Sequence, residues 1–164
     1  MSGLTIQSAH RDDAEAINGI QNHYVLHSTA TFLTEPLTLE QRLAWLLGRA
    51  ASHPVIVARE GGTVAGWGSL ETFRARPAYR HTAELSIYIH PERHRRGIGR
   101  AIVGKLIERA RALDYHALVG GCCSETTGAI ALLEACGFAQ VARFPEVGRK
   151  FGRWLDVVFL ERVL

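Results

Sequence analysis

The clearest alternation of apolar and polar residues runs from Thr82 to His90 and predicts a β-strand with one apolar face. The apolar positions of this strand are Ala83, Leu85, Ile87 and Ile89. A helix is predicted to follow, because apolar residues recur at helical spacing from Ile98 to Leu113. A basic turn that contains glycine joins this strand to this helix.

The remaining elements show the same two periodicities in a mixed order. Further strands are predicted at residues 4–8, 55–58, 64–73, 117–120, 138–144 and 155–160. Paired glycines at positions 61 and 62 predict a hairpin turn, which needs positive φ angles. Three further helices are predicted: one capped by Asp12 with Glu15, one capped by Thr38 with Gln41, and one over residues 127–136 that ends at Gly137. This order favours a mixed α/β fold in a single domain spanning residues 1–164.

The composition is that of an ordinary soluble domain, with 47% hydrophobic and 21% charged residues in a chain of 164. A domain of this size can bury roughly 70% of its surface, so it needs no disulfide or structural metal. The three cysteines are odd in number and two are adjacent, which favours a reducing compartment. No signal peptide or membrane-spanning apolar run is evident, so we expect a cytoplasmic protein without a membrane partner.

The segment His94-Arg-Arg-Gly-Ile-Gly-Arg100 lies between the strong strand and the strong helix. A helix N-terminus presents unpaired N–H groups, glycines let a bulky anion approach the backbone, and arginines add charge-assisted hydrogen bonds. The segment therefore has the properties of a diphosphate-binding loop, with a tight turn and a solvated basic face as the alternative. The net charge of +3 fits a phosphate-bearing ligand but is too small to indicate nucleic acid.

Three competing motifs fail in the same region. A dinucleotide-binding GxGxxG would use the two glycines of the loop, but its third glycine position holds Ile102. A Walker A loop fails at Leu106, where magnesium needs Ser or Thr. His90 and His94 have the spacing of a helical zinc pair, but Pro91 argues against the helix. We therefore expect no metal.

The loop resembles the acetyl-CoA signature of the GNAT superfamily, (Gln/Arg)-x-x-Gly-x-(Gly/Ala), with His94 in the first position. The similarity extends across nearly the whole chain to one branch, the phosphinothricin acetyltransferases and the acetylases of methionine sulfoximine and methionine sulfone. The segments that carry it are Ser28-Thr-Ala-Thr-Phe32, Tyr79-Arg-His-Thr-Ala-Glu-Leu-Ser-Ile-Tyr88 and Val147-Gly-Arg-Lys-Phe-Gly-Arg-Trp-Leu-Asp156. The resemblance implies a GNAT fold: a central, mostly antiparallel twisted sheet of six to seven strands, splayed between strands 4 and 5 and flanked by about four helices.

The same resemblance implies an enzyme that transfers an acetyl group from acetyl-CoA to the primary amine of a small amino acid. It places the pantetheine arm along the backbone of Ile87, Tyr88 and Ile89, which would also polarise the thioester. A cofactor-side position that is usually asparagine is Thr126 in this chain. The N–H groups of one run are assigned to the diphosphate: His94, Arg95, Arg96, Gly97, Ile98, Gly99 and Arg100.

Acetyl transfer to an amine requires a base, because amines with a pKa of about 8 or higher are mostly protonated at neutral pH. Glu84 lies on the polar face of the 82–90 strand, matches the family glutamate and is the candidate general base. A salt-bridged carboxylate is the alternative for Glu84, and His81 is a weaker candidate. The family histidine that protonates the departing thiolate is replaced by Leu133, which leaves Tyr88, water or the substrate ammonium as the proton donor.

Substrates of the resembling enzymes are small amino acids whose carboxylate suits bidentate binding by arginine. The resemblance assigns substrate contacts to Phe32, Arg74, Tyr79, Arg80, Thr82 and Lys150. Lys150 lies in a segment that often completes the site across a dimer interface, so we expect a homodimer. Two alternatives remain open: a non-catalytic acyl-CoA-binding regulatory module, and an acetyltransferase for another amine such as a protein N-terminus.

Overall fold

The computed structural model describes residues 3–164, which form one seven-stranded sheet and four α-helices. The strands are β1 (Thr5–Ser8), β2 (Val55–Glu60), β3 (Thr63–Thr72), β4 (Thr82–Ile89), β5 (Ala117–Cys123), β6 (Ala139–Lys150) and β7 (Arg153–Val163). The helices are α1 (Ala14–His27), α2 (Leu39–Leu47), α3 (Ile98–Ala112) and α4 (Thr127–Ala135). The number of strands and the number of α-helices both agree with the predicted fold.

The strand order in the sheet is β1-β2-β3-β4-β5-β7-β6. Every neighbouring pair is antiparallel except β4 and β5, which run parallel. The parallel pair is short, with only three matched positions: Thr82 with Ala117, Ala83 with Leu118 and Glu84 with Val119. Beyond Glu84 the two strands separate, so the predicted opening between strands 4 and 5 is confirmed.

Apolar side chains form a core on each face of the sheet, and the apolar face of β4 belongs to the core beneath α3. α3 packs on one face through a buried stripe that includes Ile102 and Leu106. This helix comes close to β3 because Gly68 lacks a side chain, and a Cβ there would lie 2.7 Å from Ile102 Cγ2. α1 and α2 cover the other face, where Trp67 is buried. Burial contributes about 1.5–3 kcal/mol for each large apolar side chain, so these stripes fix both layers on the sheet.

The predicted helix caps are confirmed at α2 but not at α1. Hydrogen bonds of 2.9 and 3.1 Å between Thr38 and Gln41 form the expected capping box. At α1, a 3₁₀ turn over residues 11–13 precedes the helix, and the predicted cap by Asp12 is wrong. Asp13 occupies the N-cap position of α1, but its carboxylate does not cap the helix. The carboxylate accepts the N–H of His10, before the 3₁₀ turn, at 2.9 Å and forms an ion pair with Arg59 on β2.

The turns and strand ends differ only slightly from the predictions. The glycines at 61, 62 and 137 adopt positive φ angles, as expected for a hairpin turn and a helix end. β6 continues well past its predicted end to Lys150, with an irregular register between Phe144 and Gly148 that accommodates Pro145. Over residues 3–164, no helix is both long and apolar enough to cross a membrane.

Candidate active site

A cavity of about 350 Å³ lies where β4 separates from β5. Its walls come from β4 between Glu84 and Ile89, from β5 between Gly120 and Cys122, from the α1–α2 connection and from the first turns of α4. The cavity brings together five predicted cofactor residues: Ile87, Tyr88, Ile89, His94 and Thr126. It also contains the predicted base, Glu84.

Only alternate residues of β4 turn their backbone groups toward this cavity. In the antiparallel ladder with β3, the N–H of His90 donates to Ala65 O at 2.9 Å. Because the hydrogen-bonding direction alternates along a strand, the backbone of Tyr88 also faces β3, while the backbones of Ile87 and Ile89 face the cavity. The prediction is therefore wrong for the backbone of Tyr88, which reaches the cavity through its side chain.

The loop over residues 94–100 enters α3 through two left-handed residues, Arg95 with φ 61° and Gly97 with φ 77°. The first hydrogen bond of the helix runs from the N–H of Ala101 to Gly97 O at 3.0 Å, so the preceding N–H groups have no helical partner. Such a run of free N–H groups fits a diphosphate. Gly99 also has a packing role: a Cβ there would lie 2.7 Å from Leu132 Cδ2, so the glycine lets α4 pack on the start of α3.

The arginines of this loop differ in the partners that they already have. The carboxylate of Glu60 accepts hydrogen bonds from Arg93 at 2.5 Å and from Arg96 at 2.9 Å, and these arginines lower the pKa of Glu60. Arg95 and Arg100 form no ion pair with any residue from 3 to 164. The predicted diphosphate role therefore fits Arg95 and Arg100 better than Arg96.

His94 connects this loop to α1. Its Nε2 lies 2.8 Å from the hydroxyl of Tyr24, which donates to Ile89 O at 2.5 Å. Burial raises the pKa of Tyr24 to about 12, so its proton stays on this hydrogen bond at neutral pH. The carbonyl of Ile89 is thereby satisfied, and its N–H remains for a ligand.

Glu84 is partly buried at the point where β4 and β5 part. A Cβ on Gly121 would lie 3.3 Å from Glu84 Oε1, so the glycine lets the carboxylate lie against β5. Burial raises the pKa of Glu84, the charge of Glu71 raises it further, and the charge of Arg74 acts against both. Within residues 3–164, no cation lies within ion-pairing distance of this carboxylate, so the salt-bridged alternative is wrong.

Four of the predicted substrate residues lie at the start of β4 or in the connection before it. Arg74 is close enough to Glu84 for its charge to lower that pKa. The ring of Tyr79 packs edge-on against Phe73 with the centroids 5.7 Å apart. Arg80 is exposed, and Thr82 begins the short parallel ladder with β5. The structure therefore places an arginine, an aromatic ring and the candidate base at the same end of β4.

None of the six predicted substrate residues lines the cavity itself, and Lys150 and Phe32 have structural contacts elsewhere. The side chain of Lys150 is buried, and its Nζ donates to the carbonyl oxygens of Ser28 and Thr31 at 2.7 Å each. Phe32 packs against Gly148 on β6, where a Cβ would overlap the aromatic ring. Both residues hold the α1–α2 connection against β6.

The α4 side of the cavity presents few free polar groups. Leu133 is buried and packs on Gly120, where a Cβ would meet its side chain at 2.6 Å. The hydroxyl of Thr126 donates to Cys123 O at 2.6 Å. Thr126 therefore lines the cofactor side, as predicted, with its proton already engaged.

Among the cavity residues that the sequence did not predict, two have ionisable side chains: Cys122 and Tyr24. Cys122 lines the cavity from β5, and burial raises the pKa of its thiol to about 11. Its place beside the opening strand could have been inferred once β5 was extended by two residues. Tyr24 had no signal in the sequence, because its partners Ile89 and His94 lie 65 and 70 positions away.

An unpaired strand edge beside a helix N-terminus suits an extended thioester that ends in a diphosphate. In fold and in site, this arrangement defines a CoA-dependent acyltransferase. The profile of the acetyltransferase (GNAT) family matches residues 17–138, and the chain belongs to this family. No group of three or more metal-binding side chains occurs in the part of the chain that the structure describes.

Relatives with named activities cover almost the whole chain. An L-amino acid N-acyltransferase of Escherichia coli is 37% identical over 159 residues, which are 96% of this chain and 92% of the relative. An L-methionine sulfoximine/L-methionine sulfone acetyltransferase of Salmonella typhimurium is 38% identical over 96% of this chain and 93% of the relative. A phosphinothricin acetyltransferase of Sinorhizobium meliloti, solved with acetyl-CoA, superposes with a TM-score of 0.92 at 33% identity and covers 100% of this chain and 89% of its own. The chain is therefore an acetyltransferase with acetyl-CoA as its cosubstrate, and the non-catalytic alternative is not supported.

Proposed function

We propose that this enzyme acetylates the α-amine of a small amino acid of the methionine sulfoximine, methionine sulfone or phosphinothricin type, with Glu84 as the general base. The observation that carries the proposal is the carboxylate of Glu84, which lies in the opening of the sheet without a cationic partner. The relatives named for such substrates support the choice of amine.

The acyl donor is proposed to lie along the free edge of β4. The N–H groups of Ile87 and Ile89 would pair with the pantetheine arm, and one of them would donate to the thioester carbonyl. The free N–H groups of residues 95–100, with the side chains of Arg95 and Arg100, would bind the diphosphate. Thr126 would contact the arm from the α4 side.

Glu84 would accept the proton that the amine loses as it attacks the thioester carbonyl. A carboxylate with a raised pKa is better matched to an amine than an ordinary glutamate, because its proton affinity is closer to that of the amine. Arg74 would bind the carboxylate of the substrate, which places the neighbouring α-amine near Glu84. A polyamine should bind poorly here, because its positive charges would be repelled by the arginine.

A homodimer is part of the same proposal. The β6–β7 hairpin, at one edge of the sheet, exposes Val141, Phe144, Val147, Phe151 and Trp154. An apolar surface of this kind is commonly covered by a partner. A second copy of this chain is the proposed occupant.

The test is release of free thiol from acetyl-CoA in the presence of a panel of amines. The panel contains methionine sulfoximine, methionine sulfone, phosphinothricin, unmodified methionine, a polyamine and a short peptide. Turnover confined to the free amino acids supports the proposal. Turnover with only the peptide or the polyamine would overturn the substrate class, and retained CoA binding with no turnover would overturn the reaction.

A further inference from the structure

A thiolate released in this cavity would be poorly solvated. Cys122 shows the effect of the environment on sulfur, because burial raises the pKa of its thiol to about 11 and the nearby Glu84 adds to the shift. The departing sulfur of CoA would meet the same surroundings and would need a proton. The α4 residues that line the cavity cannot supply one, since they are Gly128, Ala129, Leu132 and Leu133.

Most hydroxyl groups around the cavity are already engaged or too weakly acidic. Tyr24 donates its proton to Ile89 O, and Thr126 donates its proton to Cys123 O. Serine hydroxyls are much weaker acids than a phenol, whose ordinary pKa is about 10. Tyr88 therefore remains as the hydroxyl with the required acidity.

Burial raises the pKa of Tyr88, and two polar side chains act against this rise. Thr31 and Gln21 both act as hydrogen-bonding partners that lower the pKa of Tyr88. The oxygen of Thr31 already accepts the N–H of Leu33 at 3.3 Å, and the amide oxygen of Gln21 already accepts from Arg42. Thr31 still has a hydroxyl proton and Gln21 an amide N–H, and either can donate to the oxygen of Tyr88 once the phenol has lost its proton. Both residues therefore favour the phenolate that a proton transfer from Tyr88 would leave.

A buried positive charge supports the same phenol. The guanidinium of Arg42 lies beside two indole rings, 4.7 Å from the centroid of Trp45 and 5.6 Å from that of Trp67, and it forms no ion pair with a described residue. Its charge lowers the pKa of Tyr88, while burial, the largest effect, raises it. Burial keeps the phenol protonated before the reaction, and Arg42 favours the phenolate that forms when the proton leaves.

We propose that Tyr88 gives its proton to the sulfur of CoA, and that Gln21, Thr31 and Arg42 are positioning residues for this step. The inference rests on the proposed acetyl transfer. The amine nitrogen forms the new C–N bond and loses a proton to Glu84. The C–S bond breaks, its electron pair stays on sulfur, and sulfur takes the phenol proton. The phenolate then regains a proton from the protonated Glu84 through solvent.

The decisive variants are Tyr88→Phe and incorporation of 3-fluorotyrosine at position 88. Tyr88→Phe should lower kcat by about 10²-fold and leave the Kd of CoA unchanged. The wild-type rate should fall at alkaline pH as the phenol ionises, and Tyr88→Phe should lack this fall. 3-Fluorotyrosine, a stronger acid of nearly the same shape, should move the fall to lower pH. Arg42→Met should move it to higher pH, a shift that loss of packing alone would not cause.

Two controls separate this role from the alternatives. Tyr115→Phe removes another buried phenol, one that donates to Ser52 O at 2.8 Å away from the cavity, and should leave kcat and the pH profile unchanged. Cys122→Ala tests whether the thiol of Cys122, rather than the phenol of Tyr88, gives its proton to the sulfur of CoA. The titratable groups that face Tyr88 are Tyr24 on α1, Arg42 on α2 and Cys122 on β5.

Each outcome decides between the two proposals. If the wild-type enzyme acetylates none of the amines, acetyl transfer to amino acids is wrong and the role of Tyr88 falls with it. If the wild-type enzyme is active but Tyr88→Phe keeps its rate and its alkaline fall, only the role of Tyr88 is overturned. Loss of the alkaline fall in Cys122→Ala would assign the proton to that thiol instead. If Tyr88→Phe does not fold, the direction of the shift with 3-fluorotyrosine decides.

Discussion

At the scale of single residues, Glu84 differs from three other glutamates of the chain. Glu60, Glu71 and Glu125 each form an ion pair with an arginine, whereas Glu84 has none among the described residues. Ion pairing lowers the pKa of Glu60 and of Glu125, and burial raises that of Glu84. An unpaired, partly buried carboxylate opposes folding, so its position is better explained by proton transfer than by stability.

Glu84→Gln should lower kcat by about 10²-fold below neutral pH, where the amine is protonated and needs a base. The loss should shrink as the pH rises, because the amine then becomes neutral without help. Rates measured across pH with a saturating amine test this expectation. The Kd of CoA should stay nearly constant, and an equal loss at every pH would remove Glu84 from the role of base.

The same substitution should raise Tm at neutral pH. The pKa of Glu84 is higher in the folded than in the unfolded state, so its contribution to stability is present at low pH and is lost as the pH rises through the folded pKa. Replacing the carboxylate by a neutral amide removes that loss. Glu71→Gln is the matched control, because it breaks a 2.6 Å ion pair with Arg49 and should lower Tm. A lower Tm for Glu84→Gln would contradict the account.

At the scale of elements, the loop that enters α3 combines backbone N–H groups with two kinds of arginine. Arg96 is held by Glu60, and Arg100 has no ion-pair partner in residues 3–164. Arg100→Ala should weaken CoA binding about tenfold or more, the usual cost of a charge-assisted hydrogen bond, and Arg96→Ala should weaken it less. Titration calorimetry with CoA measures both, and Arg111→Ala at the far end of α3 controls for net charge. Equal effects of Arg96 and Arg100 would contradict the assignment.

The α1–α2 connection depends on a cation from a distant strand. Lys150→Met keeps the length of the side chain but leaves the carbonyl groups of Ser28 and Thr31 without their donor, at a cost of about 1–3 kcal/mol each. We expect a lower Tm and, because Thr31 supports Tyr88, a lower kcat. Thermal melts and rates test this, and a variant with unchanged Tm would show that the ammonium is not needed there.

The sequence predicted the elements that depend on local patterns and missed the contacts that depend on register. The alternation of β4 and the capping box of Thr38 and Gln41 each depend on residues that are close together in the sequence, and the structure confirms both. The backbone direction of Tyr88 depends on its pairing with β3, which no local pattern reveals. Lys150 bonds to carbonyl groups 119 and 122 positions away, so its buried role is invisible in its own segment.

At the scale of the whole molecule, the β6–β7 hairpin is the least covered part of the sheet. Trp154, Val147 and Phe151 are each more than half exposed, although they are apolar. The guanidinium of Arg149 also lies over the ring of Trp154, 5.0 Å from its centroid. Such a surface suits association of two copies along this edge.

Trp154→Asp should convert the proposed dimer to a monomer, because burying a charge at an apolar interface is strongly unfavourable. Light scattering coupled to size-exclusion chromatography measures the mass. Leu47→Asp places the same charge at an equally exposed apolar position on α2 and should leave the mass unchanged. A wild-type protein that is monomeric at all concentrations would exclude the homodimer.

The opening between β4 and β5 has one more consequence. Ile87 and Ile89 present main-chain groups that no neighbouring strand takes up, so the middle of the sheet contains a free border. Proteins usually shield such borders, because any extended polypeptide can add to them and start aggregation. Here shielding would block the acyl donor, so the enzyme must leave the border accessible. When CoA and its thioesters become scarce in a cell, extended segments of other polypeptides should pair with this free border. The enzyme should then aggregate from this position and lose solubility.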